Sequence, residues 1–161
     1  MFQKGDRVVY PHHGAAVIED LTEREIFGER KQYFVLKLAH GDLTLMVPVA
    51  NSKDVGLREV CSKREVKKVF DLLREEETKM PTNWSRRFKT NVEKLRSGDI
   101  FQVAEVVRNL SIREKDKGLS AGEKRMLAKA RQILVSELTF AVDSTEEHAE
   151  AMLDKVLEEA R

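Results

Sequence analysis

The hydrophobic period of this chain changes once, near residue 60, and that change constrains its fold more than any other feature. Before it, apolar residues fall in short runs rich in β-branched and aromatic side chains. These are Arg7-Val8-Val9-Tyr10, Ala15 to Leu21, Gln32 to Leu38 and Leu43 to Val47. Pro11-His12-His13-Gly14, Phe27-Gly28-Glu29, His40-Gly41-Asp42 and Pro48 punctuate them. Short strands at this spacing, separated by turn formers, predict a small antiparallel β-barrel or meander.

After the change, apolar residues recur at helical spacing. Examples are Val66, Val69, Phe70 and Leu73, then Val103, Val106, Val107 and Leu110, then Leu127, Ile133, Leu134 and Leu138. Three S-x-x-E segments, Ser62 to Glu65, Ser120 to Glu123 and Ser144 to Glu147, fit the capping box. In that motif a hydroxyl and a carboxylate satisfy amides left free in a first turn. Asp99 to Gln102 follows the break Ser97-Gly98 in a related pattern, and Pro81-Thr82-Asn83 suits another helix start. Helices are therefore predicted over 62–76, 83–97, 100–117, 121–141 and 145–160, joined by short connections that favour a compact bundle. The expected class is α+β: a β domain over 1–52, a connector over 53–61 and a five-helix domain over 62–161.

Charge is informative only by segment. The whole chain has 29 basic and 28 acidic residues, a net +1 that argues against a protein coating nucleic acid along its length. Residues 81–131, however, hold 13 basic against 6 acidic residues, while 132–161 hold 2 against 8. Such blocks are often solvated helix faces. The functional alternative is a phosphate-facing surface made by Arg86, Arg87, Lys89, Lys124, Arg125 and Lys129. The single Trp, Trp84, stands two residues before Arg86. It either packs in a core on Phe88, one helical turn on, or lies exposed as a flat wedge beside cations, suited to a distorted or partly opened duplex.

Other chemistries find little support. A lone cysteine, Cys61, precludes an intrachain disulfide and offers no CxxC pair, and a reducing compartment is the natural reading. His12 and His13 are adjacent and have no third metal ligand nearby. Gly118-Leu-Ser-Ala-Gly122 matches neither a P-loop nor a nucleophile elbow. No catalytic residues, metal site or cofactor are expected. The charged N-terminal segment and the absence of a long apolar run predict a cytoplasmic protein with no signal peptide and no membrane span.

Three motifs together resemble the bacterial CarD family of RNA-polymerase-binding transcription regulators: Val8-Val9-Tyr10-Pro11-His12-His13-Gly14-Ala15, Pro81-Thr82-Asn83-Trp84-Ser85-Arg86-Arg87, and Gly118-Leu119-Ser120-Ala121-Gly122-Glu123-Lys124-Arg125-Met126-Leu127. The resemblance runs the full length, in order. It implies a Tudor-like N-terminal domain that docks on the β subunit of RNA polymerase, and a helical domain that meets promoter DNA at the upstream edge of the transcription bubble. It implies that Trp84 wedges into the minor groove at the fork, that Arg86, Arg87, Lys89 and Lys124 hold the backbone, and that little base sequence is read. The open complex would thereby be stabilised, with the protein associated with the nucleoid through polymerase. Arg24 and Ile26 match the docking strand; Met46 stands where some relatives carry a basic residue, so docking here would lean on apolar contact. Nothing requires more than a monomer. A DNA-architectural protein without a polymerase partner, or a protein–protein adaptor, would be the other outcomes.

Overall fold

The computed structural model describes residues 2–159; Met1, Ala160 and Arg161, and with them the end of the helix predicted over 145–160, lie outside. Among the described residues the N-terminal part is one antiparallel sheet of five strands: β1 (Arg7–Tyr10), β2 (Gly14–Ile26), β3 (Glu29–Leu38), β4 (Thr44–Pro48) and β5 (Arg58–Glu59). The order is β4-β3-β2-β1-β5. The expected barrel is not formed. Closure needs the two edge strands to meet with a consistent stagger, and β5 has only two residues, Arg58 and Glu59, both committed to β1 through Val9 and Val8. The segment expected as a mere connector therefore supplies an edge strand.

β2 and β3 are longer than the apolar runs suggested. They form a hairpin whose far half has both faces in solvent, so no alternation marks it. Phe27 and Gly28 join the strands with φ of 52° and 77°, the left-handed pair that a tight hairpin turn requires. An irregularity between Ile18 and Asp20 admits one extra residue. It lets Leu21 face the same side as Ile18 although the two are three residues apart. That inner side carries Phe34, Leu36 and Leu38, which pack with Val8, Ala16, Ile18, Val47 and Leu57.

The helices are α1 (Lys63–Arg74), α2 (Trp84–Arg96), α3 (Ile100–Asp116), α4 (Ala121–Ala141) and α5 (Glu146–Glu159). Ser62 closes a complete capping box with Glu65. Asn83 and Asp99 cap α2 and α3 through their side-chain oxygens. The third predicted box is displaced by one residue: Thr145 Oγ1, not Ser144, accepts from the His148 amide at 3.1 Å. α3 and α4 form the centre of the bundle. Leu110, Leu134 and Leu138 are essentially inaccessible, and Val69, Leu73, Leu153 and Val156 close over them from α1 and α5. No helix among the described residues is long and apolar enough to cross a membrane.

Sheet and bundle are clasped along α4. Arg58 makes two 2.7 Å hydrogen bonds to the buried Glu137, which also accepts from the Cys61 amide at 2.8 Å. Arg7 donates to the Phe140 carbonyl at 3.1 Å. Burial, then the Glu137 charge, pushes the Cys61 thiol up to about 12, so it resists ionisation and oxidation. At the closest approach, Ser136 Oγ accepts from the Ala15 amide at 2.9 Å and donates to the Ile133 carbonyl. Gly14, at φ 98°, lies so near that a Cβ there would come within 2.7 Å of Ser136 Oγ. Gly14→Ala is expected to destabilise by about 1–2 kcal/mol from the positive φ alone, and more from the contact. Thermal unfolding would fall by about 5 °C; an unshifted transition would contradict this close approach.

Candidate nucleic-acid interface

Trp84 opens α2, directly after its Asn83 cap. Its ring stacks on Phe88, with centroids 5.0 Å apart and an interplanar angle of 20°. Its indole Nε1 donates to Ser120 Oγ at 3.0 Å, and a Cβ added at Gly122 would meet the same ring at 3.6 Å. Yet 46% of Trp84 remains exposed. The ring is therefore stacked on Phe88 and also about half exposed. Because the N–H is already satisfied, what the ring offers a partner is a flat apolar surface.

The support beneath the ring is a buried ion pair. Arg87 is 3% exposed and Glu123 is 2%. Arg87 Nε donates to Glu123 Oε2 at 2.8 Å and Nη2 to Oε1 at 3.3 Å, while Nη1 reaches the carbonyl of Thr82 at 3.1 Å. Ser120 Oγ donates to Glu123 Oε1 at 3.1 Å and accepts from the Glu123 amide. The Arg87 hydrogen bond, helped by its charge and by Ser120, holds the Glu123 carboxyl below the usual carboxylate range. The expectation that Arg87 faces phosphate is therefore corrected. All three of its guanidinium nitrogens are turned inward, and it locks the start of α2 to the start of α4. Likewise Glu123, expected to complete a capping box, spends its carboxylate on Arg87.

The other predicted cations are placed differently. Arg86 and Lys89 are exposed on α2, Lys124 and Arg125 are exposed on α4, and Lys129 is half-buried one turn further along. Among the described residues none of these five forms an ion pair. The Trp84–Ser120 hydrogen bond brings the two helix starts together, so Arg86, Lys89, Lys124 and Arg125 lie within about two turns of the ring, while Lys129 stands further along α4.

Residues that the hydrophobic pattern concealed fix the approach to Trp84. Thr78, in the segment between α1 and α2, donates through Oγ1 to Glu105 at 2.7 Å and accepts from Arg108 and Asn109 at 3.1 and 2.8 Å. Asn109 in turn accepts from the Thr78 amide at 3.2 Å, and Lys94 pairs with Glu105 at 2.8 Å. Arg108 and Asn109 are buried within the apolar stretch of α3 from Val106 to Leu110. Two adjacent polar residues interrupting Val106-Val107 and Leu110 were the available signal. Buried polar groups of this kind persist only when paired.

On the sheet, Arg24, Ile26 and Met46 lie on one face. Directly opposed residues share a face and alternate residues return to it. Met46 opposes Val35, which opposes Asp20; Arg24 and Ile26 follow Asp20 at even spacing. This is the face turned away from the Phe34 core. Ile26 is 45% and Met46 44% exposed. Strand β4, carrying Met46, is the sheet edge, so one side of its backbone is free of strand partners.

Two family models match successive parts of the chain. Residues 2–61 match the family model described as the CarD-like/TRCF RID domain. Residues 68–154 match the model described as the CarD C-terminal domain. The chain is 37% identical over 146 residues to the "Putative transcription factor YdeB" of Bacillus subtilis (strain 168), covering 91% of this chain and 95% of that protein.

Proposed function

This chain belongs to the CarD family of transcription regulators, and from that premise we propose that it bridges RNA polymerase and promoter DNA and stabilises the open complex. In this reading the β domain, expected over 1–52 and extended by β5, docks on the polymerase β subunit through the face of Arg24, Ile26 and Met46 and the edge of β4. An exposed strand edge accepts main-chain hydrogen bonds from an added strand, and Ile26 and Met46 supply the apolar contact. The helical part, 62–161, meets the duplex at the upstream fork of the bubble. The observation that carries the proposal is Trp84: half-exposed, stacked on Phe88, with its polar N–H already used, amid unpaired cations. A flat apolar face suits an unstacked base step, and cations suit the backbone on either side.

The mechanism is a difference in affinity. A wedge that fits the fork binds the open promoter better than the closed one, and the equilibrium moves by that difference. Sequence is read only as fork shape and deformability, because neither the indole nor the cations make a base-specific pattern. Polymerase supplies the local concentration, which reconciles a net charge of +1 with DNA binding.

The test is retention of core polymerase by the immobilised protein, with promoter footprinting in its presence and absence. Protection should extend to the upstream fork. Arg24→Glu is expected to lower polymerase retention at least tenfold while leaving thermal unfolding in place, since Arg24 is exposed and forms no ion pair among the described residues. Undiminished retention by that variant would refute the docking face.

A further inference from the structure

A second cationic cluster lies at the far end of α2 from Trp84, where the turn between β1 and β2 enters the bundle. That turn is tightly held. A Cβ on Gly98 would come within 2.8 Å of Pro11 Cγ, and Gly14 abuts Ile133 and Ser136. His12 lines one small cavity with Leu95, Gly98 and Ile133. Ile133 follows Lys129 by one helical turn on the same face of α4, the His12 and His13 rings lie 6.0 Å apart, and the charges of Lys129 and Arg96 both act on His12. His12, His13, Arg96 and Lys129 thus converge from the turn, α2 and α4. The imidazole of His13 also lies edge-on to Tyr10, 4.9 Å between centroids.

No acid answers these groups. Among the described residues neither Arg96 nor Lys129 forms an ion pair, and neither Glu93 nor Asp99, the nearest acids in sequence to Arg96, reaches it. On the inner side of His12, Glu137 lines the same cavity but is occupied by Arg58. Burial first, then the Lys129 charge, holds both imidazoles below their ordinary range, and His13 and Arg96 add to this at His12. An uncompensated cluster of four basic groups is costly unless an anion visits it.

We propose that His12, His13, Arg96 and Lys129 seat a backbone phosphate of the same duplex that Trp84 contacts, so that the β part holds DNA directly. This rests on the DNA-binding reading given above. Twelve residues of α2 separate Trp84 from Arg96, about 18 Å at 1.5 Å per residue. Along a duplex that is roughly five base pairs at 3.4 Å each. Arg86, Lys89, Lys124 and Arg125 provide cations toward the Trp84 end, so the backbone is followed from fork to seam.

The histidines have distinct parts. His12 Nδ1 is buried and has no partner among the described residues. A proton there would be buried without an acceptor, so His12 stays neutral and donates from Nε2. His13 is the group that titrates. A phosphate favours its charged form. Binding then takes up a proton, and affinity rises as pH falls.

The experiment is fluorescence anisotropy of the full chain on a fork-junction DNA with an upstream duplex arm of about ten base pairs, and on the same fork with that arm cut to about two. Wild type should bind the long-arm fork several-fold more tightly at about pH 6 than at about pH 8. His13→Gln should abolish that gain. Lys129→Gln should weaken binding about threefold at both pH values and lower the salt slope by about one. Cutting the arm should erase all these differences. Arg96→Gln, on an exposed side chain, repeats the salt test should His13→Gln shift the thermal transition. A pH gain retained in His13→Gln, or a salt slope untouched by Lys129→Gln and Arg96→Gln, overturns this inference alone. Failure of wild type to bind any fork at low salt overturns the DNA reading with it.

Discussion

Replacing Arg87 by Met is expected to cost roughly 3–5 kcal/mol of folding stability, because it strands the Glu123 carboxylate in the interior without its partner. In a chain of this length thermal unfolding would fall by about 10 °C. The double variant Arg87→Met/Glu123→Leu should recover most of that loss, since apolar replacement of a whole buried pair is often neutral. Arg86→Ala, one residue away, should leave the transition unmoved, because its side chain is exposed and unpaired among the described residues. The pH dependence has a definite sign. Glu123 is held below its usual carboxylate range in the folded protein by Arg87. Its stabilisation is present above the unfolded value of about 4.3 and is lost as pH falls through the folded one. The gap between wild type and Arg87→Met should therefore narrow on acidification, as read from urea midpoints at about pH 7 and about pH 4. A gap that stays constant would mean that the ion pair does not carry the stability.

The second large effect concerns Trp84. Under the proposed function, Trp84→Ala should shorten the lifetime of the open promoter complex about tenfold, equivalent to about 1.4 kcal/mol of lost preference for the open state. Base–aromatic stacking of about 1–3 kcal/mol is enough to supply this. Polymerase retention should be unchanged, since Trp84 lies on α2 and the proposed docking face is on β2 and β4. The fold should survive, because the ring is 46% exposed and its loss forfeits chiefly the stack on Phe88, worth about 1 kcal/mol. Trp84→Phe keeps a flat face and should retain part of the effect. An unaltered lifetime with Trp84→Ala would eliminate the wedge.

How far the chain could be read depended on what each signal reports. Helix positions were legible to within two residues or so because caps and periodicity are local, and four of the five capping residues are those the sequence indicated. The exception, Thr145 in place of Ser144, exchanges one hydroxyl for its neighbour. The far half of the β2–β3 hairpin was not legible, since a ribbon with both faces in solvent leaves no alternation to detect. Sheet closure was not legible either: it depends on whether β4 and β5 meet, a long-range matter settled by the shortness of β5. At the proposed DNA-facing surface, cations could be counted but not sorted. Arg86 and Arg87 are adjacent letters, yet in a helix adjacent residues point about 100° apart, and only one of them is outside.

The clasp along α4 has a consequence for how the two ends of the molecule work together. Two partners joined by a flexible tether gain only in encounter frequency, and the gain fades as the tether lengthens. Here the Arg58–Glu137 and Ala15–Ser136 contacts bind sheet to helix without a free joint, so the span between Arg24 and Trp84 has a set length. With polymerase on one end and the fork on the other, as proposed, the protein is a gauge. It rewards a strand separation that begins at one distance from the polymerase surface and is indifferent to one that begins elsewhere. Arg58→Ala would strand the buried Glu137 carboxylate, so its cost would fall on folding as well as on that set span.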